Sequence, residues 1–149
     1  VSAHTPTVLL VEDDPNDARL VQRAFSRSGV KASVLRLQNG DEAVSYLGGE
    51  APYDNRVLHP VPKLMLLDIK LPRRSGFEVL QWVRMRTDAL RRMPIVMLTS
   101  STHSIDINLA YDLGANSYVS KPESSNQLNE LVRLFTSYWL RTNQPPAIA

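Results

Sequence analysis

The strongest constraint on the fold is an alternation along the chain. Short apolar runs, each stopping at a polar residue, alternate with segments whose apolar residues recur at helical spacing. Thr7 to Val11 is the first run, continuous and rich in leucine and valine, as in a strand buried on both faces. It stops at Glu12-Asp13-Asp14-Pro15. Asp14 has the chemistry of a helix cap, Pro15 suits a first turn, and Asp17 falls at the acidic third position. Ala18, Val21, Ala24 and Phe25 then recur on one face until Gly29.

The unit repeats. Ser33 to Leu37 is predicted as a strand and Gly40 to Leu47 as a helix closed by Gly48-Gly49. A polar, Pro-rich connection from Glu50 to Lys63 is long for its class. Leu64 to Leu67 is a third strand ending in Asp68, followed by a helix over Gly76 to Met85. Pro94 to Leu98 runs into Thr99-Ser100-Ser101. Ile105, Leu109 and Leu113 are expected to line a fourth helix stopped by Gly114. Ser117 to Val119 precedes Lys121-Pro122. A last helix begins near Ser124 or Ser125, with Leu128, Leu131, Val132, Phe135, Tyr138 and Trp139 on its apolar side. Residues 142–149, with Pro145-Pro146, read as a flexible tail.

Strands alternating with helices specify an α/β domain with a parallel sheet covered on both faces. In such sheets ligands bind beyond the carboxyl ends of the strands, where strand order reverses. Glu12, Asp13, Asp68, Thr99 and Lys121 all fall at those ends. Glycine-rich nucleotide motifs are missing, and the turn where they would sit is acidic, which repels a pyrophosphate.

Composition excludes several other chemistries. The chain has 149 residues, the size of one domain, and no cysteine, so disulfides and thiolate chemistry are out. Its three histidines, His4, His59 and His103, have no zinc-hydrolase spacing. A formal charge of +2, with Arg73-Arg74 and Arg91-Arg92 as short pairs, lacks a nucleic-acid footprint. No apolar run approaches the roughly 18 to 20 residues of a membrane span, and Val1-Ser2-Ala3-His4 lacks the features of a signal peptide. No membrane association and a cytoplasmic location are the expectation.

Carboxylates converging from two strand ends repel one another unless a cation joins them. Oxygen ligands without cysteine or suitable histidine select a hard ion, and Mg²⁺ fits best. Asp68 ends a buried run, where an isolated carboxylate is costly, so it is the candidate nucleophile toward phosphorus. Lys121 and the Thr99 hydroxyl supply charge and a donor for the transferred oxygens. This constellation does not by itself separate a phosphoaspartate phosphatase from a phosphate-accepting signalling domain. Haloacid-dehalogenase-like phosphatases carry the nucleophile after the first strand in an Asp-x-Asp pattern, which Glu12-Asp13-Asp14 lacks.

The motifs resemble the receiver domain of two-component response regulators. They are Leu9-Leu10-Val11-Glu12-Asp13, Leu66-Leu67-Asp68 with Pro72 and Gly76, Val96-Met97-Leu98-Thr99-Ser100, and Gly114-Ala115-Asn116 through Tyr118 to Lys121-Pro122. The resemblance implies a receiver over 6–141 with the flavodoxin-like strand order 2-1-3-4-5. It implies Asp68 as the phosphorylated residue, Asp13 as a direct Mg²⁺ ligand, Glu12 acting on the ion through water, and the Lys70 carbonyl as a third protein ligand. It further implies Thr99 and Tyr118 as switch residues and Lys121 as the partner of the phosphoryl group. Lys70 stands where asparagine is usual, and its ammonium is expected to approach the phosphoryl group and shield it. Ser101 is a second modulating position.

Gly49 to Asn55, Leu71 to Gly76, Leu90 to Pro94 and Tyr138-Trp139-Leu140 resemble the stand-alone regulators paired with phytochromes. A sensor histidine kinase, in particular a bacteriophytochrome, is then the expected partner. A homodimer through the fourth helix, fifth strand and last helix is also expected. With only the tail after the last helix, output through protein contacts is expected rather than through a further domain. The chain is expected to catalyse no reaction beyond acceptance and loss of its own phosphoryl group. The alternatives are a Mg²⁺-dependent phosphatase and a pseudo-receiver scaffold that never uses phosphate.

Overall fold

A computed structural model describes residues 5–148. His4, the rest of residues 1–4, and the last residue of the expected tail lie outside the described residues. Five strands, β1 (Thr7–Val11), β2 (Ser33–Leu37), β3 (Leu64–Leu67), β4 (Ile95–Thr99) and β5 (Ser117–Ser120), form one parallel sheet in the order β2-β1-β3-β4-β5. Five α-helices connect and cover them: α1 (Pro15–Arg27), α2 (Gly40–Gly48), α3 (Gly76–Arg84), α4 (Ser104–Asp112) and α5 (Ser125–Ser137). The expected α/β flavodoxin-like architecture is the one observed.

The central strands read as unbroken apolar runs because each serves two cores. Val8, Leu10, Leu64, Leu66, Val96 and Leu98 pack with α1 and α5. Leu9, Val11, Met65, Leu67, Ile95 and Met97 point the other way, toward α2, α3 and Ala110 of α4. Each fully buried leucine or methionine contributes about 1.5–3 kcal/mol. The two edge strands, β2 and β5, are only partly covered.

Local chemistry explains the helix starts. The Asp14 side chain accepts from the amides of Asn16 and Asp17, Asn39 caps α2, and Ser75 with Glu78 forms a reciprocal capping box on α3. The long connection after α2 is organised by Arg56. Its guanidinium donates to the carbonyls of Tyr46 and Leu47, each at 2.8 Å, where a helix C-terminus favours positive charge.

Three expectations differ from the structure. The fourth helix does not bury the predicted stripe: Ile105 is 78% exposed and Leu109 39%, and only Ala110 is buried. Its helical period marks an apolar face without saying what covers it. Tyr138 and Trp139 belong to a π-helical turn, Tyr138–Thr142, that follows α5. Beyond that turn the chain meets the domain again at its last described residues. Ile148 is 6% exposed within the α2–α3 core, and Arg92 donates to the Ala147 carbonyl at 3.1 Å. Proline and polar composition predicted a loose end, but one isoleucine finds an apolar niche on the face opposite α5. Among the described residues, no helix is long and apolar enough to cross a membrane.

Candidate functional site

The carboxyl ends of the strands bring the polar residues together. β1 and β3 are neighbours in register, Val11 beside Leu67, so the chain leaves them side by side as Glu12 and Asp68. Backbone bonds extend the ladder past the strand ends. The Asp68 amide donates to the Val11 carbonyl at 3.2 Å, and the Lys121 amide to the Thr99 carbonyl at 2.8 Å. Arg36 of β2 clamps the acidic turn, its guanidinium donating to the Glu12 and Asp13 carbonyls at 3.0 Å each. Nothing in the sequence marked Arg36, because its role depends on a neighbour more than twenty residues away.

Glu12, Asp13 and Asp68 each offer a carboxylate oxygen, and these oxygens lie within 4.8 Å of one another. Glu12 and Asp68 are buried, and Asp13 faces solvent. One Asp68 oxygen accepts from the Ile69 amide at 2.7 Å. The other accepts from Lys121 at 3.0 Å. The same ammonium donates to Glu12 at 2.5 Å and to Asp17 at 3.1 Å. Gly76 lets the following loop fold back here, since a Cβ at that position would stand 2.0 Å from the Asp68 carbonyl oxygen.

Burial pushes the Glu12 carboxyl up to about 7, the Asp68 charge adds to the rise, and the Lys121 hydrogen bond only partly offsets it. Burial alone would lower the Lys121 ammonium. The hydrogen bond to Glu12 and the charges of Asp68 and Glu12 outweigh burial and hold it above the usual lysine range. Lys121 is therefore a fixed cation, and Glu12 is a carboxylate short of positive charge. Buried oxygens with one solvent-facing ligand suit a hard divalent ion that keeps some of its water, and Mg²⁺ fits this donor set.

Thr99 closes the site from β4 and is 1% exposed. The loop after it is tied by the Ser101 hydroxyl, which donates to Asp106 at 2.6 Å, and by the Tyr118 hydroxyl, which donates to the Ser101 carbonyl at 2.9 Å. Tyr118 packs half-buried against the α2–α3 core, so its ring already lies inward. Lys70 is exposed and takes part in no ion pair among the described residues. The cation inside the acidic cluster is Lys121, while the Lys70 side chain stays in solvent. Asp17 and Asp106 enter the network although the sequence marked Asp17 only as a helix-start acid. No local signal distinguishes that role from a reach across the crevice.

The response regulator receiver domain model matches residues 8–133. Response regulator Rcp1 of Synechocystis sp. is 36% identical over 140 residues, covering 94% of this chain and 92% of that protein. The phosphorylated cyanobacterial phytochrome response regulator RcpA is similar in structure, with a TM-score of 0.88, 36% identity, and coverage of 96% of this chain and 99% of that one. The Mn²⁺-bound form of Rcp1 has a TM-score of 0.85 at 35% identity, covering 95% and 99%.

Proposed function

The chain belongs to the response regulator receiver domain family, and on that premise we propose that it accepts a phosphoryl group on Asp68 from a histidine kinase, of the phytochrome type. The observation that carries this reading is the Asp68 carboxylate itself, buried at a strand end between Lys121 and the acidic pair. A carboxylate oxygen of Asp68 forms the new O–P bond while the P–N bond to the donor imidazole breaks and the imidazole leaves. Held by Asp13, Asp68 and the Lys70 carbonyl, with Glu12 acting through water, Mg²⁺ would supply charge neutralisation for the carboxylates and the phosphoryl oxygens. Lys121 and Thr99 stand where charge spreads over the transferred group.

Output proceeds through protein contacts, including a homodimer across α4, β5 and α5. The exposed Ile105, Leu109 and Tyr111 of α4, Leu134 of α5 and Tyr138 of the turn that follows α5 support such a surface. Incubation with acetyl phosphate and Mg²⁺ should place a hydroxylamine-sensitive label on Asp68, and Asp68→Asn should abolish it because an amide is no nucleophile. A label mapped elsewhere, or sustained turnover of small phosphomonoesters, would overturn the proposal.

A further inference from the structure

The ammonium of Lys121 has three N–H donors, and all three are spent on carboxylates: Glu12 at 2.5 Å, Asp68 at 3.0 Å and Asp17 at 3.1 Å. Two of those acceptors are committed elsewhere. Glu12 and Asp68 belong to the cluster suited to a metal, and Asp68 is the site of phosphoryl acceptance. Asp17 belongs to neither. It sits in the first turn of α1, where side chains lean back toward the helix start and so toward the crevice. Its amide is held by the Asp14 cap at 3.4 Å, which fixes the turn it stands on.

We infer that Asp17 is a positioning residue for phosphoryl acceptance: it anchors one N–H of Lys121 and aims the other two at Asp68 and the incoming phosphoryl group. The inference rests on the reading of Asp68 as acceptor. The lysine stem is long and flexible, and aiming it during the reaction costs rotamer freedom. An anchor already in place lowers that cost. A bound cation would compete for the Glu12 charge, and phosphorylation makes an Asp68 oxygen the bridging oxygen of an acyl phosphate, so of the three carboxylates on Lys121 only Asp17 would be left unaltered. With the Asp17 side chain 41% exposed, solvent weakens the pair, so the effect is modest in size.

Labelling by phosphoramidate at saturating Mg²⁺ tests this in wild type, Asp17→Asn, Asp17→Glu, Lys121→Met and the Asp17→Asn/Lys121→Met double variant. Asp17→Asn should label roughly three- to fivefold more slowly, the range a half-exposed ion pair supports. Asp17→Glu should recover part of the rate, because the charge is retained on a longer arm. In the Lys121→Met background, Asp17→Asn should change the rate by less than about twofold, since nothing remains to be aimed. Urea midpoints of the same variants in chelator should show the same non-additivity without any metal. A wild-type rate in Asp17→Asn, or an undiminished effect in the Lys121→Met background, would overturn the assignment. Wild type that takes no label at all would instead sink the acceptor reading on which it rests.

Discussion

At the residue scale, the acidic pocket is held together by one lysine and strained by one glutamate. Glu12 is 2% exposed, and its folded pKa rises from 4.5 to about 7. In metal-free protein the folded state therefore holds a proton on Glu12 that the unfolded state has released. Between about pH 4.5 and 7 the folded chain binds more protons, so stability falls as pH rises, and the whole penalty is present above about 7. Glu12→Gln removes the titration but keeps the shape. In chelator, the variant should gain stability over wild type on going from pH 5 to pH 8, by on the order of 2–3 kcal/mol. Chemical denaturation at the two pH values measures this, and parallel pH profiles for the two proteins would contradict it. Mg²⁺ should shrink the difference, because a bound cation favours the ionised carboxylate.

At the element scale, α4 is the loosely held piece of the sheet's cover. It buries only Ala110, while Ile105 and Leu109 face outward. Its start is tied to the site through Asp106 and Ser101, and β5 is tied to the same loop through Tyr118. These bonds connect the loop after Thr99 to the elements that carry the exposed apolar residues, a connection that a switchable interface would need. Ile105→Glu should leave the melting temperature within about a degree, because an exposed residue contributes little to folding. It should weaken self-association by roughly tenfold or more if this face is the dimer surface. Sedimentation equilibrium over a concentration series decides the matter. A wild-type monomer at high concentration, with and without phosphoryl group, would remove the dimer from the proposal.

At the scale of the whole molecule, the chain end joins the two cores. α5 packs on one face through Phe135, and Ile148 lies in the core of the other. Replacing Ile148 by Ala should cost about 1–2 kcal/mol in thermal unfolding, less than a central leucine because Ile148 keeps 6% of its surface exposed. A change below about 0.5 kcal/mol would mean the segment contributes no burial in solution. Much else about the molecule was legible beforehand. The strands β1 and β3 lie where their apolar runs predicted, because burial on both faces requires continuous hydrophobicity at those positions; the partly covered edge strand β2 also keeps its predicted bounds, and β4 differs by one residue at each end. That Asp13, Asp68, Thr99 and Lys121 gather at the carboxyl ends of the strands was legible too, because a polar residue following a strand at that end of the sheet has few other reasons to be there. What the sequence determined by itself is thus the set of elements and the end of the sheet that carries the chemistry, both encoded in local periodicity and its interruptions. Tertiary structure alone decided that the Lys70 side chain stays out of the acidic cluster and that Asp17 shares Lys121 with it. It also decided that Arg36 clamps the acidic turn, that Ile105 faces outward and that Ile148 does not. Each of those depends on distances between elements far apart in the chain, and side-chain periodicity carries no information about what lies opposite.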